Sequence, residues 1–133
     1  MAIIHIVLFA FTPQTTQSQI EDVSRRMTGL ADKCVHPTSG GKYFKSYSGG
    51  KDNSPEGHNV RISTSPLRAF LPVVLLADEM VQGGFTHGFV CEFQNTEDRD
   101  YYISKDPAHL EFVASLEGVV KDVRVVDYEP GKF

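Results

Sequence analysis

Three histidines stand where chemistry is conceivable. His5 and His87 lie on apolar, β-favouring runs, and His109 opens a helical one. Phe112, Val113 and Leu116 follow His109 at i+3, i+4 and i+7, so the imidazole shares its helix's apolar face. Asp106-Pro107 supplies an N-cap and a first helical residue, which puts His109 in the first turn. A helix N-terminus disfavours imidazolium, and so does burial. What remains is a neutral imidazole, the state a general base needs near neutral pH. Tyr101 and Tyr102, a turn or so upstream, could offer a phenolic hydrogen bond to a developing enolate. Each residue also has a plainer reading: a core histidine bonded to backbone, or a tyrosine packed among other aromatics. His36 and His58 neighbour Pro or Gly and read as exposed loop residues. Other chemistries lack a signature. There is no G-x-S-x-G elbow and no H-E-x-x-H helix. Cys34 has no visible activating partner, and Cys34 and Cys91 lack zinc spacing. No metal or cofactor is expected.

The elements that must position these residues follow from patterning. Ile3 to Phe11 reads as a strand apolar on both faces, hence covered on both sides. Thr16 and Gln19 form a capping box; Ile20, Val23, Met27, Leu30 and Cys34 then trace one face of a helix. Residues 36–42 are turn-rich, Tyr43 to Ser48 reads as a second strand, and 49–57 as a loop. Phe85 to Phe93 is the next strand, with Phe85, His87, Phe89, Cys91 and Phe93 on one face. Asn95 or Thr96 caps a short helix through Tyr102, Asp106 opens another, and Val123 to Tyr128 is the last strand. The order β-α-β-[insert]-β-α-β, with four strands and two helices, suits an α+β ferredoxin-like layer with its helices on one sheet face. The other face carries either the set His5, Val7, Phe9, Phe11, Phe85, His87, Phe89, Cys91, Phe93 or its complement. Both sets are apolar, so a second copy of the chain is expected to close the bare face.

Composition narrows the partners. The chain has 133 residues, enough for one domain, and 41% hydrophobic against 23% charged residues argues against disorder. Lys plus Arg is 13 and Asp plus Glu is 17, a net charge of −4 that, without a basic stripe, excludes ordinary nucleic-acid binding. The longest apolar run, Ala69 to Ala77, is interrupted by Pro72 and falls far short of the roughly 20 residues of a membrane span. The N-terminus lacks a secretion-signal pattern, and the two cysteines read as buried thiols, so a cytoplasmic location is expected.

Four segments in order carry a resemblance: His5-Ile6-Val7-Leu8-Phe9, Gly84-Phe85-Thr86-His87-Gly88-Phe89, Asp106-Pro107-Ala108-His109-Leu110-Glu111-Phe112, and Val123 to Tyr128. Together they resemble the stress-responsive dimeric α+β barrel (Dabb) family, over nearly all the chain except the stretch near 60–82. The resemblance implies one domain over 1–133, a ferredoxin-like fold and a dimeric barrel. Some members of the family are stress proteins without a clear reaction. Others, the olivetolic acid cyclase-like polyketide cyclases, close a linear poly-β-ketoacyl chain by intramolecular aldol condensation without a cofactor. Their base is the histidine of a Pro-Ala-His motif, helped by a preceding tyrosine. The resemblance places that base at His109 and the tyrosine at Tyr102, with one extra residue between them. It places pocket histidines at His5 and His87; Val7, Phe9 and Phe89, on the same strands, are the remaining candidate substrate contacts. Where the family often has a histidine before the proline, this chain has Asp106. The expected function is therefore aldol cyclisation, or a related decarboxylation or dehydration, of a small hydrophobic carbonyl substrate. The alternative is a non-catalytic barrel that binds such a ligand.

Residues 60–82 have no counterpart in the family pattern. Removing them joins Asn59 to Gly83 in an ordinary family loop. The stretch begins with Val, whose codons start GT, and ends with Gln, which CAG encodes. Ala77-Asp78 can be written with a branch-point-like CTGAC. These features read as a retained intron translated as protein; the alternative is an inserted lid.

Overall fold

The computed structural model describes residues 1–55 and 84–133. Strand β1 (Ile3–Phe11) leads to helix α1 (Gln17–Lys33) and strand β2 (Phe44–Lys51). Strand β3 (His87–Phe93), helices α2 (Thr96–Ser104) and α3 (Pro107–Ala114) and strand β4 (Val120–Tyr128) follow. The strands form one antiparallel sheet in the order β2-β3-β1-β4. This is the expected α+β ferredoxin-like arrangement. His58 and the 60–82 stretch lie outside the described residues.

Local chemistry sets the helix ends. Thr16 accepts a hydrogen bond from the Gln19 backbone, and the Gln19 side chain accepts one from the Thr16 backbone. Asn95 caps α2 through the Asp98 amide, and Asp106 caps α3 through the amides of Ala108 and His109. The connection after β3 holds two helices, matching the separate expectations of a helix through Tyr102 and another from Asp106, so the layer counted with two helices has three. Strand β2 runs on to Lys51 through residues that read as loop, because its ladder with β3 continues over Gly49 and Gly50. A Cβ on Gly49 would lie 2.0 Å from Cδ1 of Phe89, so the glycine lets that ring lie across the strand.

Register decides which side chains share a face. Across the sheet, one row reads Tyr47, Cys91, His5, Asp127; the next Gly49, Phe89, Val7, Val125; the next Lys51, His87, Phe9, Val123. The helices cover this side. Val23, Met27 and Leu30 of α1, Tyr102 of α2 and Phe112 of α3 bury it together with Phe9, Phe89 and Phe93. The bare face is therefore the complement of the Phe-rich set, not that set itself. It presents Ile4, Ile6 and Leu8 of β1, half-buried, beside Val90 and the exposed Val126 and Tyr128.

Candidate functional site

Coverage of the sheet stops short at β4. Val123 and Val125 point to the helix side, yet they are 41% and 51% exposed. A cavity of about 420 Å³ opens there, between β1, β4 and the helices. Val7, Phe9, Met27, Phe112, Val113 and Leu116 are among its walls; His5, Tyr102 and His109 are its polar residues. Among the described residues no lysine, arginine or carboxylate lines it. Among the described residues no group of three or more His, Cys, Asp or Glu could hold a metal ion, and no helix is long and apolar enough to cross a membrane.

His109 is the third residue of α3, with Phe112, Val113 and Leu116 beside it on the cavity wall. Its ring lies 4.0 Å, centroid to centroid, from that of Tyr102. Its Nδ1 is buried and makes no hydrogen bond among the described residues. Burial lowers its proton affinity below the ordinary histidine value, and the neighbouring His5 adds to this. The charge of Asp106 and the backbone of Tyr102 offset part of the effect. The outcome is a neutral ring with an unpaired nitrogen.

His5 is buried across the strand from Asp127. Its Nδ1 lies 2.6 Å from Asp127 Oδ1; the aspartate accepts, so Nδ1 carries the hydrogen of that bond. Arg99 donates to the other oxygen of Asp127 at 2.7 Å, and the two bonds hold the carboxylate between them. Tyr102 is 0% exposed. Burial first, then the neighbouring Tyr47, keep its phenol protonated well above the usual range. The two hydroxyls are in electrostatic contact without the geometry of a full hydrogen bond.

The structure thus joins His5, Val7, Phe9, Tyr102 and His109 around one cavity, and leaves His87 and Phe89 outside it. The period of two puts His87 and His5 on one face, but antiparallel register sets His87 beside Phe9. That is four residues along the strand from His5, about 13 Å. Its ring packs edge-on against Phe11, its Nδ1 is bonded to Thr86, and burial lowers its proton affinity, with a smaller effect of Lys51. Phe89 packs behind Phe9, ring centroids 5.3 Å apart. His36 anchors its own turn, accepting from the Thr38 and Ser39 amides. Cys34 and Cys91 are free and buried, as expected. The sequence reading missed Asp127 and Tyr43. Only the pairing of β1 with β4 brings Asp127 to His5, and a strand pattern alone does not show it.

The comparisons with known proteins agree with this fold. The model of the stress responsive A/B barrel domain matches residues 74–130. Hydroxynitrile lyase from Passiflora edulis is 20% identical and superposes with a TM-score of 0.66, over 99% of this chain and 96% of its own. A protein of Arabidopsis thaliana is 24% identical, TM-score 0.65, over 98% and 97%. A dimeric ferredoxin-like protein of unknown function from Thermobifida fusca is 19% identical, TM-score 0.60, over 96% and 90%. No curated protein sequence matches the chain significantly.

Proposed function

Because the model of the stress responsive A/B barrel domain matches residues 74–130, we propose that the chain is a small dimeric barrel enzyme of that kind that needs no cofactor and acts on a hydrophobic carbonyl compound. The observation that carries this reading is His109 on the wall of a mostly apolar cavity, its proton affinity lowered by burial and its Nδ1 without a hydrogen bond among the described residues. A buried polar nitrogen without a partner is costly, and a ligand's proton is a natural partner for it. The hydroxynitrile lyase neighbour supports an enzyme-like role for this fold. The Pro107-Ala108-His109 motif supports the narrower reading, intramolecular aldol cyclisation of a polyketide-like chain.

In that reaction His109 removes a proton from a carbon between two carbonyls, which is acidic enough for a neutral imidazole. The electron pair moves onto a carbonyl oxygen as an enolate. The enolate carbon attacks a second carbonyl further along the chain, closing a carbon–carbon bond. The imidazolium returns its proton to the new alkoxide. Tyr102 is the proposed donor to the enolate oxygen, and the reading asks that oxygen to reach a hydroxyl the structure keeps covered. His5, fixed by Asp127, orients the substrate through Nε2. The apolar walls take up the rest of the ligand.

The test is turnover of a poly-β-ketoacyl thioester by the purified protein, with product identified by mass spectrometry. Binding without turnover would replace the enzyme reading with a carbonyl-binding barrel. The described dimeric neighbour and the bare apolar face support the homodimer.

A further inference from the structure

Asp106 does more than end a loop. It is 2% exposed, and its carboxylate is surrounded by donors. Tyr43 donates its hydroxyl hydrogen to Oδ2 at 2.6 Å; the Ala108 and His109 amides donate to Oδ1 at 2.9 and 3.4 Å. Tyr43 itself is buried, stacked on Phe44 and Phe93 and edge-on to Tyr101. A side chain before β2 therefore grips the first turn of α3, across 63 residues of chain. That turn is the one that carries His109.

We propose that Asp106, clamped by Tyr43, is the positioning residue for His109: the pair fixes the imidazole over Tyr102 at the cavity wall and sets one buried negative charge beside it. The proposal rests on the reading of His109 as the base. Two effects follow from one carboxylate. Its hydrogen bonds seat the helix start, so the ring stands in one place. Its charge favours imidazolium and returns part of the basicity that burial removes. The other titratable groups around His109 are His5 on β1, Tyr102 on α2, and Cys34 at the end of α1, with Asp127 of β4 behind His5. Burial and Asp106 push the Cys34 thiol up to about 12, so it stays neutral. Asp106 is the negative charge among the causes that act on His109.

Titration of the histidine ring C–H signals by NMR, on the full chain, tests the pair without a substrate. The His109 signal is identified by its loss in His109→Gln. In Asp106→Asn the oxygen that caps the Ala108 and His109 amides remains, the charge is gone and the Tyr43 hydroxyl must turn to accept from the new amide, so the His109 midpoint should move to lower pH. In Tyr43→Phe the clamp is gone and the charge remains. There the His109 and Tyr102 ring resonances should shift while those of His36 stay in place. With a substrate, kcat should fall by up to about 10²-fold in either variant at little change in KM, because displacement of the base spoils the reacting geometry more than binding. Unchanged His109 midpoint and ring signals in Asp106→Asn would overturn the proposal. If that variant does not fold, unchanged signals in Tyr43→Phe would do so. The two ideas fail separately. A shifted midpoint in a protein without turnover sinks the base and keeps the positioning pair. Turnover lost in His109→Ala but complete in Asp106→Asn, with the same pH profile, keeps the base and sinks the pair.

Discussion

His109 is the residue on which most depends. Removing a positioned general base costs on the order of 10²–10⁴ in rate. His109→Ala should therefore lose at least that much kcat while the circular dichroism spectrum stays native. Full turnover in that variant would return the histidine to a packing role. Tyr102→Phe separates two uses of the tyrosine: lost turnover marks the hydroxyl as donor, and kept turnover leaves the ring as a platform under His109. Proton uptake also links these residues to stability. His109 and His87 both bind protons less readily in the fold than the ordinary 6.5. Below that value the unfolded chain holds more protons than the folded one. Stability is thus complete above it and is lost as pH falls through the folded values. Urea midpoints measured between about pH 7.5 and about pH 5 should decline less steeply in His109→Gln than in the wild type. The helix position of His109 was legible in sequence from Asp106-Pro107 and its i+3, i+4, i+7 partners. The separation of His87 from it was not, because alternation reports a face and pairing register reports a place.

At the scale of elements, helix ends and faces were the readable part. The Thr16–Gln19 box and the Asp106 cap form as their residues dictate. The extent of β2 was hidden, because Ser48-Gly49-Gly50-Lys51 has turn composition and becomes strand only through its neighbour. The same pairing makes a prediction. Gly49→Ala drives a methyl into Phe89 and should cost about 1–3 kcal/mol in denaturant unfolding. Gly29→Ala, in the middle of α1 with nothing within 4 Å of the new Cβ, should instead add about 0.5–1 kcal/mol. Equal effects at the two sites would mean that Phe89 yields freely and that the close approach at Gly49 does not constrain the sheet.

For the whole molecule, the bare face was foreseen as a choice between two sets, and the helices settle it. Ile6 and Val126 are cross-strand neighbours at the middle of β1 and β4, and Val126 is 58% exposed. A charge there would be buried unpaired in a dimer and harmless in a monomer. Val126→Asp should therefore shift sedimentation from dimer to monomer at micromolar concentration. A wild-type monomer would remove the assembly altogether. The 60–82 stretch bears on the same question. Read as translated intron, it contributes no selected packing, so a chain without it should fold and dimerise at least as well. Failure of the shortened chain to fold would favour a genuine insert, and sequencing the transcript would decide its origin.

The half-covered valines of β4 have one more consequence. Val123 and Val125 keep apolar surface in contact with water that an occupant of the cavity would remove. Such an occupant binds the folded chain and not the unfolded one, so it raises the melting temperature by mass action. At about a hundred times its Kd the gain is about 2.7 kcal/mol, and in a domain of this size each kcal/mol moves the transition by a few degrees. A thermal-shift survey of uncharged aromatic and aliphatic ketones and aldehydes would rank ligands before any reaction is assumed. Compounds of the same shape bearing a carboxylate should fall at the bottom of that ranking, since among the described residues no lysine or arginine lines the cavity to receive them.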